Sequence, residues 1–301
     1  MDTNSKQLII IAGPTAVGKT DISIQLAQEF NSPIISCDSR QIYKEMNIGT
    51  AKPSSEELST VPHHFINHLS VQEPYSAGKY ELESIALTDL LYKSNDTLIL
   101  TGGTGLYMNA LLYGMDNYPD VDTAILKQLD TTFQEKGLSD LLKQLEEKDP
   151  AYYKTVDKNN SRRIIRALSV IEQSGETFTS FRLGKPKKRS FTPIYILLNR
   201  DREELYHRIN ERVDLMLSQG LEAEARNLYQ YKNLKALQTV GYQELFDYFD
   251  EKISFVKAVD LIKQNSRRYA KRQLTWYRKN DHWKSFHPSQ YADIIKYLKL
   301  I

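Results

Sequence analysis

The segment Gly13-Pro14-Thr15-Ala16-Val17-Gly18-Lys19-Thr20 constrains this chain more than any other, because it matches G-x-x-x-x-G-K-[ST] at every fixed position. Ahead of it, Leu8 to Ala12 form a short apolar run that reads as a buried strand of a parallel sheet. Behind it, Lys19 to Phe30 place Ile22, Leu26 and Phe30 on one helical face. A glycine-rich turn in that setting winds tightly, aims successive N–H groups inward and adds the positive potential of a helix N-terminus. The expected ligand is a phosphate or diphosphate gripped by Gly13 to Thr20. Lys19 supplies a point charge there, and the Thr20 hydroxyl is the expected ligand for Mg2+.

Two further strands follow the same logic, Pro33 to Cys37 and Thr97 to Leu100, each ending at polar or glycine residues. The pattern is that of β-α-β units, so the fold class is α/β: a P-loop NTPase-like core with a parallel sheet flanked by helices. After Leu112 the apolar spacing becomes helical, as in Leu138, Leu141, Leu142 and Leu145, and no strand stands out until Ile194 to Leu198. This predicts a core in two parts, residues 1–115 and 193–301, interrupted by an all-helical insertion over 116–192. A basic loop, Arg182 to Arg189, closes the insertion.

Charge divides along the same line. Residues 1–150 hold 11 basic and 21 acidic residues and residues 151–301 hold 29 and 17, giving −10 and +12. A solvated, lopsided surface and a polyanion-binding second half both fit those numbers. The source of the excess is visible in Ser266 to Lys279, where Arg267, Arg268, Lys271, Arg272, Arg278 and Lys279 fall within an arc of about 140° at 100° per residue. Tyr269, Ala270, Leu274, Trp276 and Tyr277 occupy the opposite side, so one face docks and the other is a positive stripe suited to a nucleic-acid backbone. The one cysteine, Cys37, has no partner for an internal disulfide, and no apolar run approaches the length of a membrane span. A cytoplasmic location, no membrane partner and a monomer are expected.

At the end of the second strand stands Asp38-Ser39-Arg40-Gln41, where sheets of this kind place ligands. Asp38 fits three roles there: magnesium ligand, general base, or an acid pairing the loop lysine. The cluster Thr101-Gly102-Gly103-Thr104-Gly105 after the third strand reads first as a tight strand-to-helix turn. His63, His64 and His68 match no zinc spacing and are expected to be structural or to support residues that touch the ligand.

Taken together, these segments resemble the tRNA dimethylallyltransferase (tRNA isopentenyltransferase) family, of the bacterial type. The matching pieces are GPTAVGKT at 13–20, DSRQIYKEMNIGTAKP at 38–53, PHHFINHL at 62–69, GGTGLY at 102–107, RRIIRAL at 162–168, TVGYQEL at 239–245 and RYAKRQLTWYRK at 268–279. The resemblance implies transfer of a dimethylallyl group from dimethylallyl diphosphate to the exocyclic amine of the adenosine next to the anticodon on its 3′ side. By the same resemblance Asp38 is the general base and Arg212 joins Gly13, Pro14, Thr15, Ala16, Val17, Gly18, Lys19 and Thr20 in gripping the diphosphate. The implied tRNA contacts, in the anticodon stem-loop, are Asp38, Ser39, Arg40, Gln41, Thr104, Arg162, Arg163, Ile164, Ile165, Arg166, Lys235, Ala236, Leu237, Gln238, Thr239, Arg267, Lys271 and Arg272. Glu45, Asn47, Arg162 and Arg268 depart from the family's usual residues. Competing readings of the same loop are a small-molecule kinase, a prenyltransferase of free adenylate, and an RNA-binding module without catalysis.

Overall fold

The computed structural model describes residues 6–182 and 184–301; residues 1–5, and Leu183 of the basic loop, lie outside the described residues. The chain divides into two compact units, residues 6–113 with 188–301, and residues 114–187.

The first unit is built on a six-stranded parallel sheet in the order β3-β2-β4-β1-β5-β6, with β1 Gln7–Ala12, β2 Ile34–Ser36, β3 His63–His64, β4 Thr97–Thr101, β5 Thr192–Leu198 and β6 Lys284–Phe286. The apolar run at the N-terminus becomes a central strand because helices cover both its faces, and Leu8 to Ala12 are all buried. Ile9 pairs with Ile99 of β4 on one side and with Ile194 of β5 on the other. The strands β3 and β6 were not expected from the sequence. They hold two and three mostly polar residues at the two sheet edges, too short for a period of two to show.

Helix α1 (Lys19–Glu29) follows the phosphate-loop motif directly and buries Ile22, Leu26 and Ala27 against the sheet. Helices α2 (Ser55–Thr60), α3 (Ala77–Leu91) and α4 (Gly105–Tyr113) complete the N-terminal part. Ser54 and Glu57 form a reciprocal capping box at the start of α2. Helices α5 (Thr123–Lys136), α6 (Leu138–Lys148), α7 (Pro150–Thr155) and α8 (Ser161–Ser174) make up the second unit, around a core that includes Leu129, Leu141, Leu145, Ile164, Leu168 and Phe178. Its one buried acid, Asp149, accepts from Tyr152 N, Thr179 N and the Thr179 hydroxyl, so it is fully occupied in capping.

Back in the first unit come α9 (Arg202–Ser218), α10 (Leu221–Leu228), α11 (Tyr242–Phe249), α12 (Phe255–Tyr277) and α13 (Tyr291–Leu298). Because all strands run the same way, the carboxyl ends of β1, β2 and β4 open at one edge of the sheet. That edge carries the phosphate loop, Asp38 and the Gly102–Gly103 turn side by side. Among the described residues no helix is long and apolar enough to cross a membrane.

Candidate active site

The carbonyls of the phosphate loop are held by cations, two from outside the loop and one its own. Arg200 Nε donates to Val17 O at 2.8 Å, Arg208 Nε to Ala16 O at 3.0 Å, and Lys19 Nζ to Gly13 O and Pro14 O at 3.0 and 2.9 Å. With these carbonyls engaged, the first N–H groups of α1, which have no partner within a helix, are left for a ligand. Gly13 is required where it stands. Its φ is 150°, and a Cβ there would lie 2.6 Å from the Leu198 carbonyl oxygen of β5.

Arg212 reaches the same loop from α9, Nη1 donating to the Thr15 hydroxyl at 3.3 Å. Its neighbour one turn earlier, Arg208, was not singled out from the sequence, although spacing by four on one helix puts both on one face. Burial pushes the Lys19 ammonium down to about 8, Arg212 pushes it further the same way, and Asp38 partly opposes them. Burial likewise lowers Arg212, to about 10, with repulsion from Arg208 adding to it against the pull of Asp38. A cluster of cations depressed in this way is short of negative charge.

Asp38 is oriented by the turn it begins. Its Oδ1 accepts from Arg40 N at 2.8 Å and Gln41 N at 3.2 Å, while Oδ2 faces Gly103. Ser39 and Thr104 close the turn, through Ser39 N to Thr104 Oγ1 at 3.0 Å and a hydroxyl pair at 3.1 Å. Gln41 Nε2 donates to the carbonyls of Thr50 and Ala51. The loop beyond it is pinned by Glu224, whose carboxylate accepts from the N–H groups of Asn47, Ile48 and Gly49 and from the Tyr242 hydroxyl.

These groups line two hollows that share Thr15, Ala16, Asp38, Thr50, Arg212 and Tyr269. One of about 640 Å³ contains Lys19, Thr20, Gln41 and Arg208, and one of about 440 Å³ contains Ser39, Arg40, Thr104, Gln238, Thr239 and Arg272. The structure thus brings the phosphate grip and Asp38 into one continuous cleft, with part of the expected RNA-contacting set on its far side. Lys235 is exposed, but Ala236 and Leu237 are buried, so these two support Gln238 and Thr239 rather than offering surface. In the second unit Arg162, Arg163 and Arg166 are exposed at α8, Ile165 packs partly into that unit's core, and Ile164 lies wholly inside it.

The basic stripe lies on α12, whose last helical residue is Tyr277; Arg278 is its cap and Lys279 lies past it. Arg268, Lys271 and Arg272 are exposed, whereas Arg267 is half-buried and donates to Asn210 Oδ1. Trp276, expected on the docking side, packs its indole against Gly105 of α4 and also lines a shallow groove with Arg268, Lys271, Arg272 and Lys279. On the docked face Gln273 is buried against the phosphate loop, a contact no feature of the sequence announced. Cys37 is buried, with its thiol pushed up by burial and by Asp38. His63 Nδ1 meets Val61 O, and among the described residues no group of three or more His, Cys, Asp and Glu side chains is placed to hold a metal.

A family described as IPP transferase matches residues 41–280. The chain is 44% identical to a tRNA dimethylallyltransferase of Cytophaga hutchinsonii, over 98% of this chain and 97% of that protein. It is 46% identical to one of Flavobacterium johnsoniae, over 97% of each. Among solved structures, the tRNA isopentenylpyrophosphate transferase of Bacillus halodurans aligns with a TM-score of 0.72 at 34% identity, covering 98% of this chain and 96% of that one. A eukaryotic dimethylallyltransferase acting on tRNA aligns with a TM-score of 0.80 at 27% identity, covering 96% and 78%.

Proposed function

The chain belongs to the IPP transferase family, and from that premise we propose that it transfers a dimethylallyl group from dimethylallyl diphosphate to the exocyclic amine of the adenosine 3′ to the anticodon in tRNA. The observation that carries this reading is the single cleft in which the Asp38 carboxylate lies beside a phosphate loop flanked by the depressed cations Lys19 and Arg212. An adenine amine is a weak nucleophile because its lone pair is delocalised into the ring. Its proton must therefore be taken, and the departing diphosphate must be stabilised.

Asp38 Oδ2 accepts the proton as the new N–C bond forms at the allylic carbon. The C–O bond to the diphosphate breaks with its electron pair going to oxygen, and Lys19, Arg212, Arg208 and the N–H groups at the start of α1 hold that charge. Thr20, half-buried in the same cleft, would hold Mg2+. The oxygen donors there fit an ion that takes few protein ligands and fills the rest of its shell with water and phosphate. When bound, the ion would neutralise charge on the diphosphate. The acceptor base has to leave its stack to reach Asp38, which is easier in a loop than in a duplex. Gln238, Thr239 and Arg272 border the side of the cleft from which it would enter.

Unmodified tRNA incubated with the protein, Mg2+ and dimethylallyl diphosphate tests this by nucleoside mass spectrometry. One adenosine carrying an added five-carbon unit is expected. No such product, or ATP hydrolysis in place of it, would overturn the reading in favour of a kinase or ATPase site.

A further inference from the structure

Gln273 joins the two halves of the cleft. It sits on α12, 6% exposed, with Oε1 accepting from Thr15 N at 2.9 Å and Nε2 donating to Gly103 O at 2.9 Å. Thr15 belongs to the phosphate loop. Gly103 belongs to the turn that backs Asp38, and a Cβ at Gly103 would lie 2.9 Å from Gln273 Nε2 and 3.2 Å from Asp38 Oδ2. One turn earlier on the same face, the Tyr269 hydroxyl donates to the same Gly103 carbonyl at 3.3 Å. The amide therefore spans the gap between the loop that grips the leaving group and the turn beside the base, and both are tied to the helix that carries the basic stripe.

We infer that Gln273 is a positioning residue: it sets the spacing between the diphosphate grip and Asp38, and so the alignment of the attacking amine with the breaking C–O bond. Three features separate this from ordinary core packing. The primary amide presents an acceptor and a donor about two ångströms apart, and both are used, each by a backbone group of a different loop. Neither loop is bonded to the other through its own backbone at these atoms. An error of about 1 Å between reacting groups costs on the order of a hundredfold in rate, with binding of each substrate little changed. The inference rests on the transferase reading, because the spacing has this meaning only if the two loops serve leaving group and nucleophile.

The test uses the full chain with tRNA, Mg2+ and dimethylallyl diphosphate. Gln273→Met keeps the length and removes both bonds. It is expected to lower kcat by about ten- to a hundredfold while KM for each substrate stays within about twofold. Gln273→Glu supplies the decisive readout. As a carboxylate it accepts from Thr15 N but places a second acceptor against Gly103 O; when protonated it restores both bonds. Lys19, Asp38, Lys52, His63, Arg212 and Tyr269 also line that cleft, and they are common to variant and parent. The ratio of the variant's kcat to the parent's is therefore expected to rise several-fold from pH 8 to pH 6. A flat ratio together with an unchanged kcat in the methionine variant would overturn the inference. So would a loss in Gln273→Met that appears wholly in KM. If the methionine variant does not fold, the ratio for Gln273→Glu alone decides, and a flat ratio overturns the inference. Absence of transfer by the parent protein would instead refute the transferase reading itself.

Discussion

Replacing Lys19 by methionine is expected to make the ligand-free protein more stable at neutral pH. In the folded state the ammonium titrates near 8 against an ordinary 10.5, so holding it charged in the cleft at pH 7 works against folding. A displacement of that size corresponds to an upper limit of about 3 kcal/mol. Methionine also gives up the two bonds to Gly13 O and Pro14 O, and leaving those carbonyls unpaired costs roughly 1 kcal/mol each. The net expectation is a gain of about 1–2 kcal/mol, read as a shift of the urea midpoint at constant slope. Below pH 8 folded and unfolded chains both bind the proton, so the handicap of the parent is complete. Between 8 and 10.5 the folded protein releases it while the unfolded chain keeps it, and the parent gains up to about 1.4 kcal/mol per pH unit on the variant. The gap should close near pH 9, and the parent should be the more stable of the two at pH 10. Saturating dimethylallyl diphosphate should reverse the order, since ligand at a hundred times its Kd stabilises the parent by about 2.7 kcal/mol and the variant hardly at all. A variant less stable than its parent at pH 7 and by the same margin at pH 10 would refute the argument that the lysine is held in a state only a bound anion relieves.

Three other outcomes follow from the same geometry. Affinity for dimethylallyl diphosphate, measured by calorimetry, should fall by up to about tenfold per pH unit above 8, as an added proton must be taken up by Lys19 on binding; constant affinity from pH 8 to 9.5 would count against this. Asp38→Asn keeps the acceptor for Arg40 N and Gln41 N, so it should lower kcat by about a hundredfold or more with tRNA affinity nearly unchanged. Equal losses in both would reduce Asp38 to a binding residue. The pair Lys271→Gln and Arg272→Gln should weaken tRNA binding across sequences and lower the slope of log K against log salt by about 1–2; an unchanged slope would remove these residues from the phosphate contacts.

What the sequence made legible was whatever a period or a fixed spacing records. The central strand and α1 stood out because five successive apolar residues, and then apolar residues three to four apart, leave little choice of element. The strands β3 and β6 did not, because an edge strand of two or three residues has no period, and His63, His64, Lys284 and Ser285 have none of the usual strand chemistry. The stripe on α12 was visible as charge on an arc. Its Trp276, placed on the docked side by angle alone, does pack there against Gly105 of α4, while its edge also lines the groove with the arginines. Ile164 and Leu237 show a different limit: resemblance marks a stretch, but only the fold says which of its side chains are buried beneath the ones that face outward. Gln273 lies between Arg272 and Leu274, where no local rule separates a buried tie from one more polar residue of a charged helix.

The three roles open to Asp38 on the sequence alone are not equal on the structure. If it served mainly to pair the loop lysine, Lys19 Nζ would reach its carboxylate; instead Nζ is directed at two carbonyls of its own loop, and among the described residues no ion pair joins Asp38 to Lys19 or Arg212. Asp38 affects both cations through the cleft without neutralising either, since both remain below their ordinary values. One oxygen of the carboxylate is spent on shaping the turn, which fixes where the other points. In the proposed reaction the cations take up an anion from elsewhere and the second oxygen takes up a proton. A diphosphate ester supplies the first and an amine attacking it supplies the second. The loop and the carboxylate thus have complementary needs that one substrate pair meets together, whereas an ion pair between them would have used up both before any substrate arrived.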